Sequence, residues 1–320
     1  MAEKKLQIAL YWGAGCGGCD VAVLDTNEFV LELAALADIR FWPIAVDTKL
    51  AGLRAMADGE LDLALYNGAV RNSENEETAR LLRRKSRCLV AFGACAHLGG
   101  IPGLANLFPR EQILRRVYLD NPSLEAGSTA VPQRHCRAGA LDLELPELYA
   151  RVRPLAQVVD VDYTLPGCPP APAQVKAVIG AFAKGSLPER GSVVGASATS
   201  LCDECKREKS QKRVKRFFRP FEILQDPARC LLEQGIVCVG PATRGGCGAR
   251  CPDSGMPCRG CYGPLPGVSD QGARLIGALA SVIDAEDPEE IDRILDGVPD
   301  IAGLAYRFGL PAATLPRRFG

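Results

Sequence analysis

The first 165 residues alternate between short, continuous apolar runs and segments whose apolar residues recur at helical spacing. "KLQIALYW", beginning at Lys5, is the first run; a glycine turn follows, then helical periodicity from Val21 to Ala37. "IRFWPIAVD" is a second run, ahead of a short helix over Leu50–Ala57 that stops at Gly59. "LDLALYNGAV" is a third, after which the polar turn "NSENEE" leads into a helix through Arg87. "CLVAFGAC" and "QVVDVDYTLPGC" are the fourth and fifth, separated by a long irregular stretch from about Ile101 to Ala150. Strands of this kind with helices between them predict a parallel, doubly wound sheet in an α/β fold.

A further helix is expected over Ala171–Lys184, opened by prolines, and "GSLPERGSVVGAS" then reads as a linker. Beyond it the pattern changes. Eight cysteines fall between Cys202 and Cys261, among many Gly and Pro residues and with little strand or helix periodicity. That segment is expected to fold around something other than a hydrophobic core. Helical signal returns from Gln271 to Leu295, with "DAEDPEE" giving a new helix start. The start of the first strand and its glycine turn are similar to a flavodoxin-like domain. The expected division is a flavodoxin-like domain over residues 1–185 and an irregular cysteine-rich domain with C-terminal helices over residues 186–320.

Composition supports a globular reading: 320 residues suffice for roughly two domains, with 47% hydrophobic and 24% charged residues. A formal net charge of zero removes bulk attraction to nucleic acid or to an anionic membrane. The longest apolar runs, such as Leu275–Ile283, are far short of a membrane span. "MAEKKLQIAL" shows no signal core, cleavage site or twin arginine, so the expected location is cytoplasmic. There, fourteen cysteines point to metal or redox chemistry and away from disulfides. With two histidines only, His97 and His135, thiolate must supply nearly every metal ligand.

In an open parallel sheet, ligands sit beyond the C-terminal ends of the strands. Cys16 and Cys19 follow the first strand, Cys95 the fourth and Cys168 the fifth, each flanked by glycine ("GAGCGGC", "GACAHLGG", "PGCPP"). Four thiols gathered on one edge suit a [4Fe–4S] cluster or an all-cysteine zinc site, with an isolated redox dithiol as the simpler alternative. A phosphate loop is disfavoured, because "GAGCGGC" lacks the Lys-Ser/Thr ending. Cys202, Cys205, Cys230 and Cys238 make one further possible quartet, and Cys247, Cys251, Cys258 and Cys261 another. Taken alone, those eight are equally compatible with two structural zinc sites.

Read together, "GCGGC", "GACAHLGGIPG" and "PGCPP" resemble the proximal-cluster motifs of [NiFe]-hydrogenase small subunits. The later order, a CxxC, two more cysteines, then a group ending in another CxxC, resembles their distal and medial segments. The resemblance is nearest to the cytoplasmic methyl-viologen-reducing (F420-non-reducing) type and runs nearly end to end. The small subunit of respiratory complex I is related but has adjacent cysteines at the first position, where this chain has CxxC. The resemblance implies three [4Fe–4S] clusters: proximal on Cys16, Cys19, Cys95 and Cys168, distal on Cys202, Cys205, Cys230 and Cys238, and medial on Cys247, Cys251, Cys258 and Cys261. Cys202 stands where many periplasmic members have histidine. Cys251 stands where many have proline, which implies a four-iron medial cluster. The implied role is an electron wire with no catalytic residue of its own. It would run from a nickel–iron large subunit, where H2 is split, to a flavin or iron–sulfur partner, which in this type is an iron–sulfur delta-type subunit connected to heterodisulfide reductase. Two rivals remain: the same wire on a large-subunit homologue without nickel, and a zinc-stabilised interaction module.

Other residues carry weaker signals. Cys88 opens a strand and reads as a small core residue, while Cys136 has no assigned role. His97 reads as a satisfied structural histidine, with donation to sulfur or a place facing the partner subunit as the alternatives, and Asp20 as turn chemistry, an interface or a proton path. Lys206–Arg219 has eight basic residues against one acid. It is expected as a solvated helix face that also offsets the negative charge of a nearby cluster.

Overall fold

The structure, a computed structural model, describes residues 5–315 except 126, 128–129, 211–212 and 299. Nine strands occur among these: β1 (Leu6–Trp12), β2 (Ala37–Phe41), β3 (Leu61–Asn67), β4 (Val70–Asn72), β5 (Ser86–Phe92), β6 (His135–Ala138), β7 (Leu141–Glu144), β8 (Leu148–Arg153) and β9 (Tyr163–Leu165). The main sheet has the order β2-β1-β3-β5-β9, with every pairing parallel. Counting its strands along the chain, this is the doubly wound order 2-1-3-4-5 of flavodoxin-like folds. The expected fold class is therefore observed.

Side-chain alternation explains why the strands read as unbroken apolar runs. Ile8, Leu10, Leu63, Leu65, Val90 and Phe92 enter one core, under helices that bring in Val23, Phe29, Leu33, Val175 and Ile179. Ala9, Tyr11, Ala64, Tyr66, Leu89 and Ala91 enter the other, against Leu53, Ala79 and Leu82. Both faces are covered, so the central positions of the strands are apolar and polar residues such as Asn67 and Ser86 fall at the strand ends.

Several elements differ from the sequence reading. The helix expected over Val21–Ala37 is two, Gly18–Leu24 and Phe29–Leu36, broken where Asn27 takes φ of 55°. "LDLALYNGAV" is two strands, because Gly68 at φ 83° turns the chain and sends β4 antiparallel along β8. "SENEE" is itself the first turn of the helix Ser73–Lys85. Asn72 caps it by accepting the Asn75 N–H at 2.8 Å, and its acidic residues face the positive end of the helix dipole. The irregular stretch from 101 to 150 holds a 3-10 helix (Ile101–Leu107), a helix (Arg110–Tyr118) and the exposed β6–β7 hairpin. The linker is a strap on the edge of β9: Thr164 N–H donates to Ser192 O and Val194 N–H to Thr164 O, with Val194 buried in the sheet core.

The segment from Cys202 to Cys261 does reach a hydrophobic core, contrary to expectation. Val214, Phe217, Leu232, Val237 and Val239 pack with Leu275, Leu279, Val282, Ile294 and Tyr306. The partners come from the helices Gln271–Ala280 and Pro288–Leu295 and from a region around Ile301–Ala305, a helix the pattern did not announce. The run Lys206–Arg219 has no helix among its described residues, and it contributes Val214 and Phe217 to this core.

Candidate metal centres

The first thiol set stands at the C-terminal edge of the sheet. β1 ends in Gly13 and Ala14, held to the β3 edge by bonds to Asn67 O and Ala69 O, and Cys16 follows, exposed. Gly17, at φ 79°, opens the helix Gly18–Leu24, so Cys19 lies in its first turn. Asp20 fixes that turn: its buried carboxylate accepts from Trp42 Nε1 at 2.7 Å and from Asn67 Nδ2 at 3.0 Å. Anchoring the helix to the ends of β2 and β3 is thus what Asp20 does. Cys95 sits in the helix Ala94–Leu98 just past β5, and exposed Cys168 just past β9. Gly93 N–H to Leu165 O and Ala94 N–H to Gly167 O, both 2.7 Å, tie those two loops together.

The four thiols are mutual neighbours. Burial pushes the Cys19 thiol well up, and Cys95, Cys168 and Cys16 add to it. Burial also raises Cys95 to about 12, with Cys168 and Cys16 contributing, and raises Cys168, with Cys16 contributing. Glycine is required by the packing: a β-carbon at Gly93 would overlap the Cys19 sulfur, and one at Gly100 would lie 2.7 Å from Cys95 Cα.

The second set lines one small cavity: Cys202, Cys205, Cys230 and Cys238, with Arg207, Lys209 and Gly240 around them. Burial raises Cys202 to about 12, with Cys238, Cys230 and Cys205 adding, and Cys238 to about 11, with Cys230 and Cys205 adding. Cys202 lies in the short helix Leu201–Glu204 and Cys205 caps its C-terminus. Arg207 is buried and donates to Pro252 O, Asp226 O and Arg229 O, while Lys209 opposes the rise at Cys202. The basic run therefore supplies a structural cation and a charge facing the second set.

In the third set, Cys261 rises to about 12 through burial, with Cys168, Cys247 and Cys251 adding, and Cys258 is raised by burial, then Cys238, Cys261 and Cys251. Amides of Ala249 and Arg250 oppose the rise at Cys247, and the Gly260 N–H donates to Cys258 Sγ at 3.4 Å. The sets adjoin. The Cys168 thiol adds to the rise at Cys261 while its backbone opposes it, and the Cys258 N–H donates to Cys238 Sγ at 3.3 Å. The order in space is first, third, second.

These donors fit iron–sulfur clusters. Burial and crowding disfavour the thiolate at Cys19, Cys95, Cys202 and Cys261, so holding such neighbours as thiolates calls for a cationic centre among them. Amide N–H groups aimed at sulfur are the environment such clusters use. The remaining cysteines stand apart: Cys88 is in the sheet core, as expected, and Cys136 is exposed on the β6–β7 hairpin. His97 is a correction, since its Nδ1 is buried without a hydrogen-bond partner, beside the turn at Gly263.

Two residues passed unnoticed in the sequence. Glu204, inside the CxxC of the second set, accepts the N–H groups of Gly246 and Gly248 on either side of Cys247. Gln174, on the helix Pro172–Ala183, donates to Gly246 O at 2.7 Å and accepts from Tyr262 Oη. Their partners lie 42 to 88 residues away, so no local signal marks either one.

Fold and thiol sets together define an iron–sulfur oxidoreductase subunit. The family described as "NADH ubiquinone oxidoreductase, 20 Kd subunit" matches residues 16–182. The iron–sulfur subunit of the F420-non-reducing hydrogenase of Archaeoglobus profundus is 39% identical, over 98% of both chains. A subunit of the F420-non-reducing hydrogenase of Methanothermobacter marburgensis is 38% identical, over 99% of this chain and 98% of its own. A chain of a NAD+-reducing [NiFe]-hydrogenase structure is 36% identical, with a TM-score of 0.51, covering 58% of this chain and 95% of its own. The chain belongs to the [NiFe]-hydrogenase small-subunit family. It is thus an electron-transfer component of an oxidoreductase complex, with iron–sulfur clusters and a large-subunit partner. No helix among the described residues is long and apolar enough to cross a membrane.

Proposed function

We propose that this chain carries three [4Fe–4S] clusters in series: proximal on Cys16, Cys19, Cys95 and Cys168, medial on Cys247, Cys251, Cys258 and Cys261, and distal on Cys202, Cys205, Cys230 and Cys238. The observation that supports the reading is the adjacency of the thiol sets: Cys168 acts electrostatically on Cys261, and the Cys258 N–H donates to Cys238 Sγ at 3.3 Å. When bound, such clusters supply one-electron carriers whose potentials depend on hydrogen bonds to sulfur and on burial. The chain's own residues set those conditions: glycine amides bond the sulfurs, Arg207 and Lys209 offset thiolate charge, and Leu201 and Ala249 help exclude water.

Exposed Cys16 follows a loop packed on Trp12, and Trp12, with Val21 and Leu24 on the helix that bears Cys19, is 41, 53 and 52% exposed in that order. That apolar rim suits the large subunit, where a nickel–iron centre would oxidise H2. The β6–β7 hairpin, with Leu141, Leu143 and Leu145 exposed, is a second surface for the same partner. The resemblance supports electron delivery to an iron–sulfur delta-type subunit and heterodisulfide reductase in the cytoplasm. Residues 1–185 and 186–320 are the two proposed units. Anaerobic iron and sulfide assays on the purified complex, counted per small subunit after subtraction of its partners' content, are expected to give about twelve of each. About four or fewer would overturn the wire.

A further inference from the structure

A cavity of about 240 Å³ opens on the C-terminal half, lined in part by Val237, next to Cys238, and by Pro257 and Arg259, on either side of Cys258. Three guanidiniums, Arg219, Arg259 and Arg307, line it, over apolar walls that include Val237 and Leu304. Arg259 and Arg307 are half-buried, and burial together with the charge of Arg259 holds Arg307 below its ordinary range. Among the described residues, none of the three has a carboxylate within salt-bridge distance. Asp300, on the rim, attracts Arg307 but accepts the Gly303 N–H at 2.8 Å with Oδ1, and Glu222 is engaged by the Arg219 backbone N–H.

Exposed Arg219 and half-buried Arg259 and Arg307, with one committed acid beside them, leave an excess of positive charge facing the apolar pocket, which favours an anionic occupant. Guanidiniums offer forked donors suited to planar carboxylate or tetrahedral phosphate oxygens. Size narrows the ligand. Sites for drug-sized ligands run from roughly 300 to 1,000 Å³, so this one is too small for a dinucleotide. We infer that the pocket binds a compact dianion with a short apolar body, of the phosphomonoester or dicarboxylate class. The inference does not depend on how the twelve cysteines are divided.

The test is anaerobic calorimetric titration of the intact purified complex, at physiological ionic strength, with phenyl phosphate and with succinate, and with phenol as the neutral control. One saturable site for either dianion, with a dissociation constant under about 1 mM and no phenol binding, is expected; which dianion binds more tightly identifies the class. Arg307→Gln should weaken binding at least tenfold, the loss of one charge-assisted pair, and Arg219→Gln should weaken it in the same direction. Arg307→Lys should be intermediate, which separates lost charge from lost fold. Arg213→Gln, on a surface arginine paired with Asp284, should change binding less than twofold. Absence of binding by both dianions, an unchanged affinity in Arg307→Gln, or an equal loss in Arg213→Gln would each overturn the assignment.

Discussion

Gly93→Ala tests the first thiol set with a single methyl group. Gly93 has φ 88° and ψ 167°, a region that side chains other than glycine rarely adopt, so alanine there costs about 1–3 kcal/mol in backbone strain alone. The new methyl would also overlap the Cys19 sulfur. Gly167 O, 3.5 Å away, and Pro170 Cδ, 3.7 Å away, close two other sides, so the sulfur is what must move. The helix bearing it cannot follow, because Asp20 is bonded to Trp42 and Asn67. Gly191 provides the control: its φ is 89°, and a β-carbon there meets nothing within 4 Å. Against a typical native stability of about 5–15 kcal/mol, both variants should fold. Gly191→Ala is expected to keep all of its iron. Gly93→Ala is expected to lose on the order of four irons, one cubane's worth, with loss of the corresponding reduced-state EPR signal. Equal iron and equal spectra in the two variants would refute the claim that Cys19 points its sulfur at a cluster.

Cys251→Ala should leave three thiols in the third set and yield a three-iron signal in the oxidised protein. An unaltered set of four-iron spectra would remove Cys251 from the ligands. Glu76 gives a pH test: burial works to raise its carboxyl, but hydrogen bonds from Arg80 and Arg153 outweigh it and hold it down to about 2. A depressed acid contributes stability in full above its unfolded value, about pH 4.3, and loses it as pH falls through 2. Glu76→Gln should therefore lower the unfolding temperature by a few degrees at pH 7, with the deficit shrinking below about pH 4. A deficit constant from pH 7 to pH 3 would assign the effect to packing.

The sheet was legible because strands covered on both faces need apolar residues at consecutive central positions, and β1, β3 and β5 have them at residues 8–11, 63–66 and 88–92. Turn chemistry was less legible. Gly68 splits "LDLALYNGAV" into two strands running in different sheets, yet Gly68 and Ala69 look like a continuation of the run. The cysteine quartets could be grouped from spacing and resemblance, since each thiol is chemically marked. The core behind them could not. Val214, Phe217 and Val237 are scattered among basic residues, prolines and cysteines, and their partners on the helix Gln271–Ala280 come some forty to sixty residues later. Non-local packing leaves no periodicity in either segment. The basic run was misread for the same reason: Val214 bridges to Ile283 and Phe218 to Ile236, contacts that favour extended backbone over helix.

That hidden core changes what holds the cysteine-rich half together. If the clusters alone organised it, its loops would be independent of one another in the bare chain. Instead Glu204 ties the second set to the Cys247 loop, Gln174 and Tyr262 tie that loop to the first half, and Gly100 N–H reaches Phe308 O at 2.9 Å. Each tie crosses between thiol sets or between halves of the chain, and each is made by a residue that ligates nothing. The polar ties fix the sets relative to one another, and the apolar core fixes the ties. An electron carrier benefits from that arrangement, because transfer between centres requires the distance to be held, whereas a hinge between them would vary it. The sequence advertises the cysteines; the spacing between the thiol sets rests on glutamate, glutamine and valine residues that no motif records.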